Sequence, residues 1–302
     1  MCNKNIMEIF ANVKGKYLLG ERLSKHTRFG VGGPAEVMFF PHDLEDLVSF
    51  LKHYPQHMPL CVLGGGSNLL VRDGGIDGVV LKLSAPFFKK IEKKENRLTC
   101  FAGVANATLS KTLIENQIGG LEFLCSIPGT IGGALRTNAG CFENSVSDVF
   151  QSALVVDRSG TVFEAKKEAF GLSYRHSDFP KDWIIVALTF KTEAKPAEQI
   201  RQTLEQQKQY RLLHQPCDAR TAGSTFKNPK DARAWELIKQ AGCENLSCGG
   251  AKVSEKHCNF LINTGNASAA DLENLGDLIV QKVKEKTGTL LEWEVQKTGK
   301  KA

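Results

Sequence analysis

Two glycine-rich segments are the first candidates for a binding site. The first consists of Gly64, Gly65, Gly66, Ser67 and Asn68, directly after a short apolar stretch. The second lies roughly 60 residues further on; its candidate members are Pro128, Gly129, Thr130, Gly132, Gly133 and Ala134, followed by Asn138 and Gly140. Glycines let backbone N–H groups converge on an anion because no Cβ blocks the approach. Either segment alone could be a tight turn, but the pair predicts a cradle for a dinucleotide cofactor.

The glycine spacing excludes two common nucleotide-binding motifs. The Rossmann fingerprint needs a glycine at its sixth position, where this chain has Leu69. No Walker A motif is present. Because both segments carry few charges, we expect backbone dipoles to hold the phosphates, in a fold other than the Rossmann fold.

Three further segments carry polar side chains that could act on a substrate. Their candidate residues are Tyr174 and Arg175, then Ser224, Lys227 and Asn228, and finally Glu292 and Glu294. Strand periodicity puts the two glutamates on one face, which could line a site or face water. Ser224 lies in no G-x-S-x-G motif, so proton donation, phosphate contact and turn capping all stay open for it. For Arg175, the alternative is a structural ion pair.

The cysteines do not predict a metal centre. Nine are scattered along the chain without any Cys-x-x-Cys pair, which favours reduced thiols in a cytoplasm. Cys243, Cys248, His257 and Cys258 invite comparison with a zinc site, but the spacing is at the edge of zinc patterns. We therefore predict no metal.

Strands and helices alternate along the chain, as the hydrophobic periodicity indicates. The predicted strands are 35–40, 60–63, 78–83, 97–101, 153–156, 161–163, 183–190, 259–263 and 289–296. Five helices are predicted. The first begins after an N-cap at Asp43, and the last runs from a capping box at Ser268 and Asp271 to Gly288. The other three span 105–118, with Gly119 just past the end, 196–213, on the surface, and 231–241. The charged, proline-ended stretch 191–196 predicts a boundary between two α+β modules.

Composition excludes several classes of protein. The 302 residues are 42% hydrophobic and 24% charged, which is ordinary for a globular protein of about two domains. Basic residues exceed acidic ones by only six and are dispersed, without a recognised nucleic-acid motif, so no nucleic acid is expected. No stretch is long and apolar enough for a membrane helix, and residues 1–10 lack the apolar core of a signal peptide. A cytoplasmic location is expected.

From about residue 23 to residue 295, the chain resembles the UDP-N-acetylenolpyruvoylglucosamine reductases, flavoenzymes of peptidoglycan precursor synthesis. The segments that carry the resemblance occur in the family's order: 27–34, 64–73, 122–124, 127–134, 138–140, 173–177, 223–229, 249–251, 259–263 and 291–295. Only 48 residues separate Arg175 from Ser224, which resembles the shorter subfamily without a tyrosine-bearing loop. Thr137, Cys141 and Phe142 depart from the usual pattern, as does Trp293 where proline is common.

The resemblance implies a fold, cofactors and site residues. The fold is α+β, a vanillyl-alcohol-oxidase type FAD-binding module over 20–193, split into subdomains near 85–95, with a substrate-binding domain over 197–298. Both glycine segments correspond to the FAD cradle, and NADPH is the co-substrate. Arg175 corresponds to the active-site arginine, Ser224 to the proton donor and Glu294 to the active-site glutamate, although a register shift would bring in Glu292. Tyr174, Lys227 and Asn228 fall where the family contacts the substrate.

The implied reaction is NADPH-dependent reduction of UDP-N-acetylglucosamine enolpyruvate to UDP-N-acetylmuramate through FAD. A fixed guanidinium stabilises charge that develops on the substrate carboxylate, and a serine protonates the α-carbon. A flavin oxidase or electron-transfer module would share the cradle but need no serine acid. The chain is expected to act as a monomer.

Overall fold

The computed structural model describes residues 9–302, so most of the segment examined for a signal peptide lies outside the described residues. The described residues form eighteen strands, several of them only two residues long. In chain order they are β1 (Lys16–Leu19), β2 (Ala35–Phe40), β3 (Leu60–Val62), β4 (Leu69–Val71), β5 (Ile76–Leu81), β6 (Ile91–Lys94), β7 (Arg97–Phe101), β8 (Ile118–Gly119), β9 (Gly140–Cys141), β10 (Asn144–Ser145), β11 (Phe150–Val156), β12 (Val162–Lys166), β13 (Ile184–Lys191), β14 (Glu193–Ala194), β15 (Ser247–Cys248), β16 (Ala251–Val253), β17 (Leu261–Asn263) and β18 (Gln296–Thr298).

Helices connect these strands. The α-helices are α1 (Leu44–His53), α2 (Leu109–Asn116), α3 (Glu122–Ser126), α4 (Ile131–Arg136), α5 (Val146–Val149), α6 (Ala197–His214), α7 (Ala234–Gln240) and α8 (Ala269–Thr287). Short 3₁₀ helices span Phe10–Asn12, Leu23–His26, Pro86–Lys89, Asn106–Thr108 and Lys167–Phe170.

The chain divides into two compact units. Among the described residues, the first comprises 9–19, 36–65 and 78–208, and the second 20–35, 66–77 and 209–302. The division crosses the first glycine segment between Gly65 and Gly66. The assignment of FAD to 20–193 and of substrate to 197–298 stays a prediction.

Two sheets organise the first unit. One has the strand order β1-β2-β5-β3, in which β3 and β5 are parallel, and the other is antiparallel with the order β12-β11-β13-β7-β6. Their apolar faces and the adjoining helices form one core that includes Phe39, Phe50, Phe150 and Phe190. Strand β7 matters for the site because Ala102, directly after it, contacts the second glycine segment.

The second unit has its own core around helix α8. Leu272, Leu275, Ile279 and Val283 form the buried stripe of this helix, as the periodicity predicted. The unit contains the sheet β15-β16-β17, and β18 pairs in parallel with β4. This last pairing brings the end of the described chain beside the residues that follow the first glycine segment.

Most predicted elements are confirmed within two or three residues. Asp43 caps α1 by accepting a hydrogen bond from the Asp46 N–H, and Ser268 and Asp271 form the predicted capping box of α8. Strand β2 occupies residues 35–40 as predicted. Periodicity and capping were sufficient in these cases because local sequence and tertiary burial agree.

One predicted helix has the wrong bounds and one predicted strand is wrong. The helix predicted over 105–118 spans Leu109–Asn116 and is not capped by Gly119, because Gln117 takes a left-handed φ of 53° and Ile118–Gly119 pairs with Glu193–Ala194. Glu193–Ala194 lies within the stretch 191–196 that was predicted as a boundary. The strand predicted over 289–296 is wrong: within the described residues the final strand is Gln296–Thr298.

No helix among residues 9–302 is long and apolar enough to cross a membrane. Each of the eight described cysteines is a free thiol. Burial raises the pKa of Cys100 and Cys125 to about 12, so both thiols stay protonated and unreactive near neutral pH. No group of three or more metal-ligating side chains occurs in the described part of the chain.

Candidate active site

The two glycine segments touch each other within the first unit. A Cβ built on Gly65 would lie 2.7 Å from Gly129 Cα, and one on Gly64 would lie 2.8 Å from Thr130 Oγ1. Real Cβ contacts are essentially never shorter than 3.0 Å. The absence of side chains at these positions therefore lets the two segments approach each other closely.

A buried asparagine holds the second segment in place. Asn106 is 1% exposed. Its Nδ2 donates to the Ile127 carbonyl at 3.1 Å, and its backbone N–H donates to the Gly129 carbonyl at 3.1 Å. These bonds fix the carbonyls on either side of Pro128, so the turn is positioned before any ligand binds.

The contacting segments fit the phosphates of a dinucleotide. The backbone N–H groups of Gly64, Gly65, Gly129 and Thr130 make no hydrogen bond within residues 9–302. Donors of this kind at a close backbone approach are suited to an anion. The two segments thus supply the backbone hydrogen-bond donors that a pyrophosphate requires.

Two predicted cofactor residues of helix α4 pack inward. A Cβ on Gly132 would lie 2.8 Å from the Cβ of Ala102, and Ala134 is 4% exposed. The helix therefore rests closely on the end of β7 at these two positions. Their cofactor role stays a prediction, and the packing by itself explains why both residues are small.

The rest of the first segment lies in the second unit. A Cβ on Gly66, where φ is 63°, would lie 2.0 Å from the His26 carbonyl oxygen. Asn68 Nδ2 donates to the Glu294 carbonyl at 3.0 Å, and the Asn68 carbonyl accepts from the Gln296 N–H at 3.0 Å. Within the second unit, Asn68 therefore holds the segment that carries Glu294, and the neighbouring Ser67 is partly buried.

Arg175 lies in a tight turn of the first unit. Ser173 and His176 exchange two backbone hydrogen bonds of 3.0 and 3.1 Å, which leaves Tyr174 and Arg175 at the turn positions. The φ of Arg175 is 50°, in the left-handed region that non-glycine residues rarely occupy. Tyr174 is 55% exposed, and the Arg175 guanidinium is 5.2 Å from its ring centroid.

The Asn138–Gly140 segment lies directly beside this turn. Asn138 Nδ2 donates to the Ser173 carbonyl at 2.7 Å, and Arg175 Nη2 donates to the Gly140 carbonyl at 2.5 Å. The structure thus places two residues predicted to bind the cofactor against the predicted active-site arginine.

Thr225 organises the segment that carries Ser224. The Thr225 N–H donates to the Asn259 carbonyl at 2.7 Å, and the Thr225 carbonyl accepts from the N–H groups of Glu294 and Val295 at 2.8 and 3.3 Å. Asn259 also clamps Phe226 through two side-chain hydrogen bonds of 3.0 and 2.9 Å. The backbones of Ser224 and Glu294 are consequently held in neighbouring segments, and Ser224 is partly buried.

The same contacts explain why residues 289–296 do not form the predicted strand. Thr225 accepts two consecutive N–H groups, and a single bridge joins Phe226 to Trp293. This irregular pairing interrupts the ladder. The predicted alternation still holds in part, since Leu291 and Val295 are buried while Glu292 is exposed.

The environment of the two glutamates favours Glu294 over Glu292. The Glu292 side chain is 72% exposed and lies 3.4 Å from Lys227 Nζ, an ion pair that water screens. Glu294 is partly buried and is tied through its carbonyl to Asn68. Of the two, Glu294 is therefore the residue whose backbone is bonded to Asn68, within the second unit.

Trp293 holds this segment against helix α8. A Cβ on Gly276 would lie 2.2 Å from the Trp293 ring, whose Nε1 donates to Asp277 at 3.0 Å. The ring also lies 5.3 Å from that of Phe226. The tryptophan that departs from the family pattern is thus accommodated by a glycine on the facing helix.

The predicted substrate residues Lys227 and Asn228 have structural contacts of their own. Lys227 pairs with Glu292, and Asn228 Oδ1 accepts from the Ala234 N–H at 3.0 Å, in the first turn of α7. Sequence reasoning missed Asn106 as an anchor and named Asn259 only within a matching segment. The available signal was an asparagine inside an otherwise apolar run, as in Asn259-Phe260-Leu261.

Known proteins of one family match nearly the whole chain. Residues 215–298 match "UDP-N-acetylenolpyruvoylglucosamine reductase, C-terminal domain", and residues 35–166 match "FAD binding domain". The UDP-N-acetylenolpyruvoylglucosamine reductase of Paramagnetospirillum magneticum is 44% identical over 97% of this chain and 95% of that protein. The protein of the same name from Rickettsia peacockii is 43% identical over 97% and 99%, respectively.

Solved structures confirm the predicted fold class. The crystal structure of the UDP-N-acetylenolpyruvylglucosamine reductase from Thermus caldophilus superposes with a TM-score of 0.80 at 31% identity, over 94% of this chain and 98% of that one. A berberine bridge enzyme variant reaches 0.51 at 13% identity over 64% of this chain, which is a likeness of fold alone. The α+β architecture is thus the FAD-binding fold of the vanillyl-alcohol-oxidase type, and the chain belongs to the UDP-N-acetylenolpyruvoylglucosamine reductase family.

Proposed function

We propose that this chain reduces UDP-N-acetylglucosamine enolpyruvate to UDP-N-acetylmuramate, and that Arg175, Ser224 and Glu294 act on the substrate. Family membership makes the chain a flavin-dependent oxidoreductase of peptidoglycan precursor synthesis, with FAD as cofactor and NADPH as co-substrate. The assignment of the three residues rests on their match to the family pattern and on the local geometry described above.

The residues that would hold FAD are those of the two contacting glycine segments. Gly64, Gly65, Gly129 and Thr130 supply unpaired backbone donors for the pyrophosphate, within residues 9–302. FAD held there would supply the hydride-transfer chemistry that links NADPH to the enolpyruvyl group. Pre-positioned donors cost little further ordering on binding, because Asn106 already fixes the second segment.

Arg175 binds and orients the substrate carboxylate. Reduction of the enolpyruvyl group places negative charge next to this carboxylate. A guanidinium presents a planar fork that matches a carboxylate and stays charged throughout. Because the Arg175 side chain already donates to the Gly140 carbonyl, its position is partly fixed before substrate arrives.

Ser224 donates a proton from its Oγ to the α-carbon of the substrate. The carbon is strongly basic at that stage, which allows a hydroxyl to act as the acid. Glu294 orients the substrate beside it. The Thr225 carbonyl supports this pair of roles. It accepts hydrogen bonds from the N–H groups of Glu294 and Val295, and these bonds hold the Ser224 and Glu294 segments side by side.

Tyr174, Lys227 and Asn228 contact the sugar nucleotide in this proposal. Tyr174 is exposed and available, whereas Lys227 must exchange its solvent-screened partner Glu292 for the diphosphate. The domain assignment is part of the proposal: 20–193 for FAD and 197–298 for substrate. A cytoplasmic location and a monomeric state complete it.

The test follows the two half-reactions of the holoenzyme by stopped-flow flavin absorbance. Ser224→Ala should leave reduction by NADPH nearly intact and slow reoxidation by the enolpyruvyl sugar nucleotide by about 10²–10⁴-fold. Ser224→Cys should recover part of the rate. Slower reduction by NADPH with normal reoxidation would assign Ser224 to nucleotide binding instead.

The glutamates provide a matched control. Glu294→Gln should slow reoxidation, whereas Glu292→Gln, two residues away and 72% exposed, should not. Equal effects of both variants would contradict the assignment of Glu294. Rapid oxygen consumption by the reduced enzyme, at a rate that the sugar nucleotide does not lower, would indicate an oxidase.

A further inference from the structure

We propose that Asn138 is a positioning residue for Arg175, acting through the carbonyl of Ser173. The proposal rests on the role of Arg175 given under the proposed function. It assigns Asn138 to the arginine turn, whereas the sequence placed this residue among the cofactor contacts.

Asn138 is buried and uses both ends of its amide. It is 3% exposed. Its Oδ1 accepts from the Ser147 N–H at 2.9 Å, at the start of α5, while its Nδ2 donates to the Ser173 carbonyl at 2.7 Å and contacts Ser147 Oγ at 3.4 Å. The Asn138 side chain therefore joins α5 to the turn through two hydrogen bonds.

The turn needs an external support because its own backbone is unfavourable. Arg175 has a φ of 50°, and Ser173, Tyr174 and His176 are exposed. A left-handed arginine persists only where surrounding contacts hold it. Asn138 holds one end of the turn at Ser173, and the Gly140 carbonyl holds the arginine head.

The position demands asparagine for two separate reasons. Asn138 itself has a φ of 41°, which asparagine, aspartate and glycine tolerate best. Of these residues only asparagine also provides an acceptor for Ser147 and a donor for Ser173 at neutral pH, where an aspartate is ionised. Asn138→Asp therefore keeps the backbone preference and the Ser147 contact but replaces the donor with a carboxylate that repels the Ser173 carbonyl.

The experiment compares Asn138→Asp, Asn138→Gly and Arg175→Ala holoenzymes, with Ser147→Ala as control for the weaker 3.4 Å contact. Both Asn138 variants should slow reoxidation by the enolpyruvyl sugar nucleotide by about 10²-fold, the effect of a misplacement near 1 Å. In both Asn138 variants, FAD content and the rate of reduction by NADPH should stay near the wild-type values. The Ser147→Ala control should keep near wild-type rates in both half-reactions.

Two readouts separate positioning from general damage. Hydrogen exchange should accelerate at residues 173–178 in both Asn138 variants. Asn138→Gly should also expose the Ser147 N–H, whose acceptor it removes, whereas Asn138→Asp keeps that acceptor. The aspartate variant should recover activity on acidification, when the new carboxyl group is protonated and can donate to Ser173, whereas the glycine variant should not. The ionisable side chains on the elements that contact Asn138 are Arg136, Cys141, Glu143, Asp148, Tyr174, Arg175 and His176, and all are shared with the glycine variant.

The outcomes distinguish this inference from the proposed function. Normal turnover of Arg175→Ala would refute the role of Arg175 itself. Impaired Arg175→Ala with wild-type rates in both Asn138 variants would overturn the positioning role. Loss of FAD, or slow turnover with unchanged exchange at 173–178, would also overturn it and return Asn138 to the cofactor.

Discussion

Replacing Arg175 with glycine should give a more stable protein than replacing it with alanine, although both lose activity. A non-glycine residue in the left-handed region costs about 1–2 kcal/mol, and Arg175 has a φ of 50°. Glycine removes this cost but loses about 0.5–1 kcal/mol more in backbone entropy on folding. The free energy of unfolding of the glycine variant should therefore exceed that of the alanine variant by about 0.5–1 kcal/mol.

The comparison isolates the backbone because the side-chain losses cancel. Both variants lack the guanidinium and its hydrogen bond to the Gly140 carbonyl. For a unit of this size the difference corresponds to about 1–4 °C in the midpoint of thermal unfolding, measured by calorimetry on holoenzymes with equal FAD content. Turnover should fall by about 10²–10³-fold in both.

Either half of the result can refute the reasoning. An alanine variant that melts at the same temperature as the glycine variant, or higher, would show that the turn stores no strain. Turnover retained in either variant would assign the arginine to structure.

Other contacts give predictions of the same kind. Gly65→Ala should weaken FAD binding to the apoprotein by about tenfold or more in titration calorimetry, since its Cβ would meet the Gly129 backbone at 2.7 Å, whereas Gly133→Ala, whose nearest contact is 3.6 Å, should fold normally. Glu273→Gln should lower the free energy of unfolding at pH 7 by about 1–3 kcal/mol, measured by denaturant titration. The Arg72 guanidinium lowers the pKa of Glu273. The loss of stability in the variant should therefore shrink as the pH falls below about 4.3, where the wild-type carboxylate itself becomes protonated. Gly276→Ala should destabilise by about 1–3 kcal/mol, and by less in a variant that lacks the facing tryptophan ring, which a double-mutant cycle would measure.

The sequence predicted the elements in which local and tertiary preferences coincide. Helix α8 has a capping box, an apolar stripe and a terminal Gly288 with a φ of 75°, and all three signals appear in the sequence. Strand β2 likewise occupies its predicted residues. The sequence predicted a cofactor cradle from the two glycine segments but not their contact with each other, which the absence of side chains allows.

Non-local contacts decided the features that the sequence did not reveal. Gln117 ends helix α2 because Ile118 and Gly119 find a partner strand 75 residues later, which no local pattern indicates. The segment that carries Glu294 pairs with Thr225 instead of forming a regular strand. The left-handed turn at Arg175 and its support by Asn138 depend on residues 35 positions away.

The interleaving of the chain has a consequence for protein synthesis. The second unit draws on residues 20–35 and 66–77 as well as 209–302, and strand β18 pairs with β4, which lies 227 residues earlier in the register. At about 5–20 residues per second, Phe29, Val31 and Leu70 emerge from the ribosome roughly 10–45 s before their partners are made. We expect these apolar residues to engage chaperones during that interval, and a product interrupted before residue 296 to leave the edge of β4 open to aggregation.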